Sequence, residues 1–189
     1  MKKPLPVIYT VGHSTHSLDE LVAMLRAHGV ERLVDVRTIP RSRHNPQFNR
    51  ETLSKALHNR HLSYRHLKAL GGLRHPRPDS TNTAWRNASF RGYADYMQTL
   101  DFAEALEHLI ALADEMPTAI MCAEAVPWRC HRSLIADALT ARGYEVRDIM
   151  SLQSAKLHRL TPIAKLMGQQ VTYPEADTQF PLFNRKETP

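Results

Sequence analysis

The sequence predicts an α/β fold: a single three-layer domain with a mainly parallel sheet of about five strands, helices on both faces and an irregular C-terminal tail. Two observations predict it. Short apolar runs typical of buried strands alternate with amphipathic helical segments along residues 1–150. Beyond residue 151 that alternation stops, in a polar segment interrupted by Pro162, Gly168, Pro174, Pro181 and Pro189. We therefore expect one α/β domain over 1–150 and a polar, proline-containing tail over 151–189.

The first half of the chain supplies three strands and two helices. Ser17 stands three residues before Glu20, which predicts a capping box at the start of the first helix, and Gly29 ends that helix. In order, the pattern predicts a strand at 7–11, a helix at 18–28, a strand at 33–36, a helix at 50–60 and a strand at 62–67.

The second half begins with a long polar excursion over 71–87, rich in Gly and Pro. Asp101 and Glu104 predict a second capping box, and Pro117 ends the helix that follows. The remaining elements are a short helix at 93–99, a strand at 119–122, a helix at 131–142 and a strand at 146–150.

Composition is that of an ordinary globular chain: 189 residues, 42% hydrophobic and 23% charged. It excludes a collagen, a coiled coil and a wholly disordered protein. With no apolar run long enough to cross a membrane, no secretory signal and only two cysteines, we expect a cytoplasmic protein without a membrane partner. The net charge of +6 favours anionic partners such as nucleic acid, nucleotides or phosphate esters, although a solvated basic surface would look the same.

Candidate functional residues follow the strands. Ligands of open α/β sheets bind at the carboxyl ends of the strands. There we expect substrate-binding groups from three strands: Gly12, His13 and Ser14 after the first, Asp35, Arg37, Arg41 and Arg43 after the second, and Cys122, Arg129 and Arg132 after the fourth.

The segment 121–132 is a strand–loop–helix joint and carries most of the expected chemistry. Free N–H groups at the helix start, with Arg129 and Arg132, predict an anion site. Cys130 at that helix start is a candidate nucleophile with a lowered pKa, and Glu124 and His131 are candidates for moving protons.

Each of these assignments has a plain alternative. Both cysteines are compatible with small buried apolar residues, which is the favoured interpretation for Cys122, and His131 with a capping or core histidine. Glu124 is equally compatible with an ion pair to Arg37 or Arg132. The spacing of Cys122, Cys130, His131 and His13 matches no zinc template, so we assign no metal site to them, and the sequence does not identify a cofactor.

A basic stretch from Arg37 to Arg77 has aromatic residues interleaved or just beyond it, a pattern that suits phosphate contacts and base stacking. The same residues would equally form a solvated face over a core of aromatics. The loop 82–92 is expected to cover a pocket with Trp85, Arg86 and Arg91.

Five segments together resemble the domain-of-unknown-function family 488 (DUF488). They are TVGHS at 10–14, VDVRTIPRSRHNPQFN at 34–49, YRHLKALGG at 64–72, WRNASFRGYADYM at 85–97 and MCAEAVPWRCHRSLIADAL at 121–139. The resemblance implies a compact α/β fold with a pocket built from these segments, and no established reaction. A weaker likeness, to rhodanese-type domains, rests on the Asp35-Val36-Arg37 strand end and the later cysteine-bearing loop.

Near the C-terminus, Gln179, Leu182 and Phe183 are similar to the peptides by which bacterial replication and repair proteins dock on the sliding clamp. The alternative is that these apolar residues fold back onto the domain.

Three functional hypotheses result. The first is an enzyme acting on a phosphate-bearing substrate, nucleic acid or a nucleotide, in DNA repair or maintenance. The second is a non-catalytic nucleic-acid-binding or clamp-associated adaptor. The third is a rhodanese-like thiol, sulfur-handling or redox protein.

Overall fold

The computed structural model describes residues 5–175 and contains a mainly parallel six-stranded sheet with five α-helices in the described range. The strands are β1 (Ile8–Gly12), β2 (Arg32–Asp35), β3 (Ser63–His66), β4 (Thr118–Cys122), β5 (Val146–Ile149), β6 (Ala155–Leu157), β7 (Lys165–Met167) and β8 (Gln170–Thr172). The helices are α1 (Leu18–Ala27), α2 (Arg50–His58), α3 (Ala88–Tyr96), α4 (Leu100–Glu115) and α5 (Arg132–Ala141).

The large sheet has the strand order β3-β2-β4-β1-β5-β6, in which β1 to β5 are parallel and β6 is antiparallel. Register aligns the strand ends: Gly12 pairs with Cys122, and Asp35 pairs with Met121. The carboxyl ends of β1, β2 and β4 therefore meet at one edge of the sheet. The predicted α/β class with a mainly parallel sheet is confirmed, and β6 adds a sixth strand to the expected number.

Helices cover both faces of the sheet. One core joins apolar side chains of α1 and α2 to alternate strand residues such as Leu33 and Met121. The other joins α3, α4 and α5 to the residues that point the opposite way, such as Val34 and Cys122. This alternation is the period of two expected of strands buried on both faces, and it produces the predicted three layers.

Two predicted helix caps had different outcomes. The Ser17 box is confirmed, since the Ser17 hydroxyl accepts from the Glu20 N–H while Glu20 Oε2 accepts from the Ser17 N–H. The assignment of Asp101 as a cap is wrong. Thr99 caps α4 by accepting the N–H of Phe102, which leaves Asp101 in the first turn, where its charge favours the helix dipole.

Residues 151–175 are more regular than the sequence pattern predicts. β6 pairs with β5, β7 and β8 form a hairpin, and Tyr173 is completely buried against the domain. These three-residue strands are too short to show a hydrophobic period, which explains the discrepancy. Gln179, Leu182 and Phe183 lie outside the described residues.

Candidate functional site

At the end of β1 the backbone passes unusually close to the loop that follows β4. The N–H groups of His13 and Ser14 donate to the carbonyls of Cys122 and Ala123, both at 2.9 Å. A Cβ on Gly12 would lie 1.9 Å from the Glu124 carbonyl oxygen, so only glycine allows this approach. Ser14 has a φ of 45°, in the left-handed region. The predicted glycine, histidine and serine are therefore brought to the edge where the β4 loop begins.

After β2, the buried Asp35 carboxylate organises its neighbours. It accepts from the Arg37 side chain at 2.6 and 2.9 Å and from the Tyr64 hydroxyl at 2.8 Å. Burial alone lowers the pKa of Arg37, but its hydrogen bonds to Asp35 raise the pKa overall. Burial and the Asp35 charge also raise the pKa of Tyr64. Asp35 and Arg37 form a paired, charged unit beneath the sheet edge.

His13 completes this unit. Its Nδ1 lies 2.9 Å from the Ser14 carbonyl and must donate to it, because a carbonyl oxygen can only accept. Nε2 is then the acceptor for Arg37 Nη1 at 3.2 Å. Burial lowers the pKa of His13, which favours this neutral tautomer. The structure thus brings His13, Asp35 and Arg37 together, and they bind one another.

Arg132 holds the loop after β4. Its guanidinium is buried and donates to the main-chain carbonyls of Glu124 and Ala125, at 2.6 and 3.0 Å. The Glu124 side chain is exposed, and it is its main-chain oxygen that Arg132 contacts. Among the predicted anion-binding arginines, four are exposed: Arg41, Arg43, Arg86 and Arg129. Arg91 lies half-buried on α3 rather than on the preceding loop.

Two cysteines and a histidine meet at the start of α5, and we call Cys122, Cys130 and His131 the thiol cluster. His131 Nδ1 is 4.0 Å from Cys122 Sγ and 3.7 Å from Cys130 Sγ. His131 Nε2 lies 3.0 Å from the Val36 carbonyl, so Nε2 carries the proton in the neutral ring. Nδ1 is then an unprotonated acceptor facing both sulfur atoms.

The two thiols have opposite pKa shifts. The contact with Cys130 lowers the pKa of Cys122, with a further contribution from His131 that acts against the cost of burial. The same contact, with burial, raises the pKa of Cys130. These directions favour Cys122 as the thiol that ionises first, and Cys130 as the nucleophile stays a prediction of the sequence. Both thiols are largely buried, with 8% of Cys122 and 3% of Cys130 exposed.

The thiol cluster also has the composition of a metal site. Its three ligand atoms all lie within 4.8 Å of one another. Tetrahedral zinc bonds of about 2.3 Å to sulfur and 2.1 Å to nitrogen would separate S from N by about 3.6 Å, close to the observed distances. The bond from His131 to a backbone carbonyl is also the usual outer-shell partner of a ligating histidine. Within residues 5–175, these three residues form the group that could hold a metal ion.

A family model described as "Domain of unknown function DUF488" matches residues 17–139. The chain belongs to the DUF488 family. The DUF488 match includes the whole thiol cluster, Asp35, Arg37 and Arg132. Comparison with curated proteins and with solved structures found no match, so the weaker likeness to rhodanese-type domains gains no support.

The structure adds a pocket of which the sequence analysis predicts only Trp85, and two thirds of its lining residues lie beyond the DUF488 match. Beneath it, His158 sits between two carboxylates, 2.8 Å from Asp137 and 3.4 Å from Asp148. Asp137 is completely buried and also accepts from the Tyr173 hydroxyl at 2.7 Å. The sequence signal for this buried group is Asp137 itself, because an aspartate on the apolar face of α5 needs buried partners.

No helix within residues 5–175 combines the length and the apolar character that crossing a membrane requires.

Proposed function

We propose that this DUF488 protein is a thiol-dependent enzyme acting on a phosphate-bearing substrate, a nucleotide or nucleic acid, with the thiol cluster as its reaction centre. The observation that carries the proposal is the meeting of two thiols and an unprotonated imidazole nitrogen at the carboxyl end of a parallel sheet. Substrates of open α/β sheets bind at that edge, and a thiolate beside an imidazole is a nucleophile with its proton acceptor.

The three side chains have distinct roles in this proposal. Cys122 is the nucleophile, because Cys130 and His131 beside it lower its pKa and favour its thiolate. His131 Nδ1 accepts the Cys122 proton. As the Cys122 sulfur bonds to the electrophilic atom of the substrate, the bond from that atom to the leaving group breaks, and the proton held on His131 passes to the leaving group. Glu124 is exposed on the adjoining loop and remains a candidate for moving protons to and from water.

Exposed basic side chains support the choice of an anionic substrate. Arg41 and Arg43 follow β2, and Arg129 ends the short helical turn that follows β4. All three therefore come after strands whose carboxyl ends meet at one edge of the sheet. Arg37 and Arg132 are instead engaged with Asp35 and with loop carbonyls. We therefore assign the phosphate contacts to the exposed arginines. The same arginines suit nucleic-acid binding without catalysis, which would depend steeply on salt concentration.

The proximity of the two sulfurs favours dithiol chemistry as a second candidate function. Joining Cys122 and Cys130 would release two protons and two electrons, which a disulfide substrate such as oxidised glutathione would accept to give two thiols. A proton acceptor for this reaction is already present, because both sulfurs face His131 Nδ1.

Thiol reactivity tests the proposal because the chain has only two cysteines. We would measure iodoacetamide alkylation of the folded protein by mass spectrometry between pH 5 and 9. Cys122 should be alkylated first and should remain reactive well below the ordinary thiol pKa of about 8.5. Cys130→Ala, which removes the S–H donor, should shift the Cys122 profile to higher pH. Cys130→Ser, which keeps a donor, should shift it less.

Three results would contradict the proposal. They are an ordinary pH profile for Cys122, two thiols that are inert in the folded protein, or one zinc ion per chain that protects both thiols. An activity found on nucleoside phosphates or oligonucleotides should disappear in Cys122→Ser. If that variant keeps full activity, the thiol cluster is not the reaction centre.

A further inference from the structure

The pocket beside His158 is a cavity of about 590 Å³ that lies between the start of α5 and the β5–β6 edge of the sheet. We call it the aromatic pocket. Its apolar lining is Trp85, Pro127, Trp128, Met150, Leu157 and Pro162. Its size is that of a site for a small organic molecule rather than for a single ion.

One polar group in this lining has no partner. The indole nitrogen Nε1 of Trp85 is buried and makes no hydrogen bond in the described structure. The ring is held in place by Phe90, stacked at 4.7 Å, and by Tyr173 at 5.6 Å. A buried N–H without an acceptor is unfavourable. A ligand that brings an acceptor to Trp85 Nε1 would remove that penalty, and because the nitrogen is covered, its neighbours would move to admit the ligand.

The other tryptophan offers a stacking surface. Trp128 is 65% exposed, although large aromatic side chains are usually much more buried. It extends from the short helical turn Pro127–Arg129, next to Pro127 in the pocket lining. An exposed indole beside an apolar cavity can cover a planar ring, and stacking on an aromatic side chain favours the binding of any nucleobase.

The charge around the pocket favours an anion at its edge. Lys156 and Arg159 line the pocket and are exposed. The deeper charges already have partners: Asp148 accepts from Thr10 and faces His158, which also contacts Asp137. The free positive charge is therefore confined to the rim, while the interior offers apolar surface and one free donor.

We propose that the aromatic pocket binds a nucleoside monophosphate. Its base would stack on Trp128 and accept a hydrogen bond from Trp85, and its phosphate would contact Lys156 and Arg159. An apolar ring, a hydrogen-bond acceptor and an anionic group are the three features that the pocket complements. This site is separate from the exposed arginines to which the proposed function assigns the substrate phosphate, so nucleotide binding in the aromatic pocket does not depend on the proposed function.

The pocket and the thiol cluster share one segment of chain. Pro127, Trp128 and Ser133 line the pocket, and Cys130 lies between them in the sequence. The Ser133 hydroxyl donates to the Cys130 carbonyl at 2.9 Å, which ties the pocket wall to the backbone of the cluster. A nucleotide in the pocket would therefore contact the segment that carries a reactive thiol.

Intrinsic fluorescence can report the binding directly, because Trp85 and Trp128 are the two tryptophans of the chain and both line the pocket. We would titrate the full-length protein with AMP and GMP, and with adenosine and ribose 5-phosphate as the separate halves of the ligand. Saturable quenching by the nucleotides, with weaker binding of each half, is the expected result. Isothermal calorimetry would supply dissociation constants for the variants.

Three variants separate the contacts. Trp85→Phe keeps an aromatic ring and removes the N–H, and should weaken AMP binding about 10-fold, as expected for one buried hydrogen bond. Arg159→Ala should weaken AMP binding and leave adenosine unchanged. Lys55→Ala removes an exposed positive charge on α2, outside the pocket lining, and should change neither.

The inference is overturned if nucleotides cause no saturable quenching at millimolar concentration, or if Trp85→Phe and Arg159→Ala both bind AMP as the wild type does. Equal affinity for AMP and adenosine would overturn the phosphate contact. The Cys122→Ala variant separates this inference from the proposed function, because it should bind AMP normally. Normal AMP binding together with unreactive thiols would therefore remove the proposed function alone.

Discussion

The buried group formed by Asp137, His158 and Asp148 should make the stability of the protein fall as the solution becomes alkaline. The His158 side chain is only 6% exposed and lies between two carboxylates. Burial alone lowers the pKa of His158, but the hydrogen bonds and charges of the two aspartates outweigh it and raise the pKa to about 9. In the unfolded chain the same imidazole has a pKa of about 6.5.

The size of the effect follows from this difference. Between about pH 6.5 and 9 the folded protein holds a proton that the unfolded chain has lost, so raising the pH favours unfolding. At about 1.4 kcal/mol per pKa unit, the contribution of His158 is about 3 kcal/mol. This stabilisation is fully present below the pKa of His158 in the unfolded chain, and almost all of it is lost by pH 9.5.

Urea unfolding followed by circular dichroism would measure the effect at half-unit steps from pH 6 to 9.5, below the ordinary tyrosine pKa of about 10. His158→Gln is the matched variant, because its amide can still donate to a carboxylate but carries no titrating charge. The free energy of unfolding of the wild type should exceed that of His158→Gln at pH 6.5, and the difference should shrink towards pH 9.5. Parallel curves for the two proteins would refute the reasoning, since other titrating groups are common to both.

Two further substitutions test the sheet edge. Asp35→Asn leaves the buried Arg37 without its counter-charge and should lower the free energy of unfolding by about 3–5 kcal/mol. The control is Asp79→Asn, which removes the exposed partner of Arg77 and should change the free energy of unfolding little. Similar losses in the two variants would contradict this account. Gly12→Ala places a methyl group 1.9 Å from the Glu124 carbonyl oxygen. The substitution should lower the free energy of unfolding by about 1–3 kcal/mol or more and should alter the alkylation rate of Cys122. An unchanged rate and an unchanged stability would show that the loop relaxes freely.

The parts of the fold that the sequence predicts correctly are those decided by neighbours along the chain. Ser17 and Glu20 are three residues apart, and their reciprocal bonds need only one helical turn. The short apolar runs that become β1, β2 and β4 show their burial directly. Tyr173 and Asp137 are 36 residues apart, and neither residue type by itself predicts a buried partner. Contacts of this kind depend on the packed structure, which explains why the sequence predicts an irregular segment after residue 150.

The candidate site shows the same limit within a few residues. The parallel-strand rule predicts that Cys122, Cys130 and His131 reach one edge, and the structure brings them within 4.8 Å. The rule does not say which sulfur is charged. Considered alone, Cys130 gains from the helix start and from neighbouring arginines, which is why the sequence favours it as the nucleophile. Once the two thiols are neighbours, loss of one proton makes loss of the second unfavourable, so the two groups titrate as a pair. The pKa of Cys122 is lowered and that of Cys130 is raised by this contact between two side chains, which sequence spacing alone does not contain.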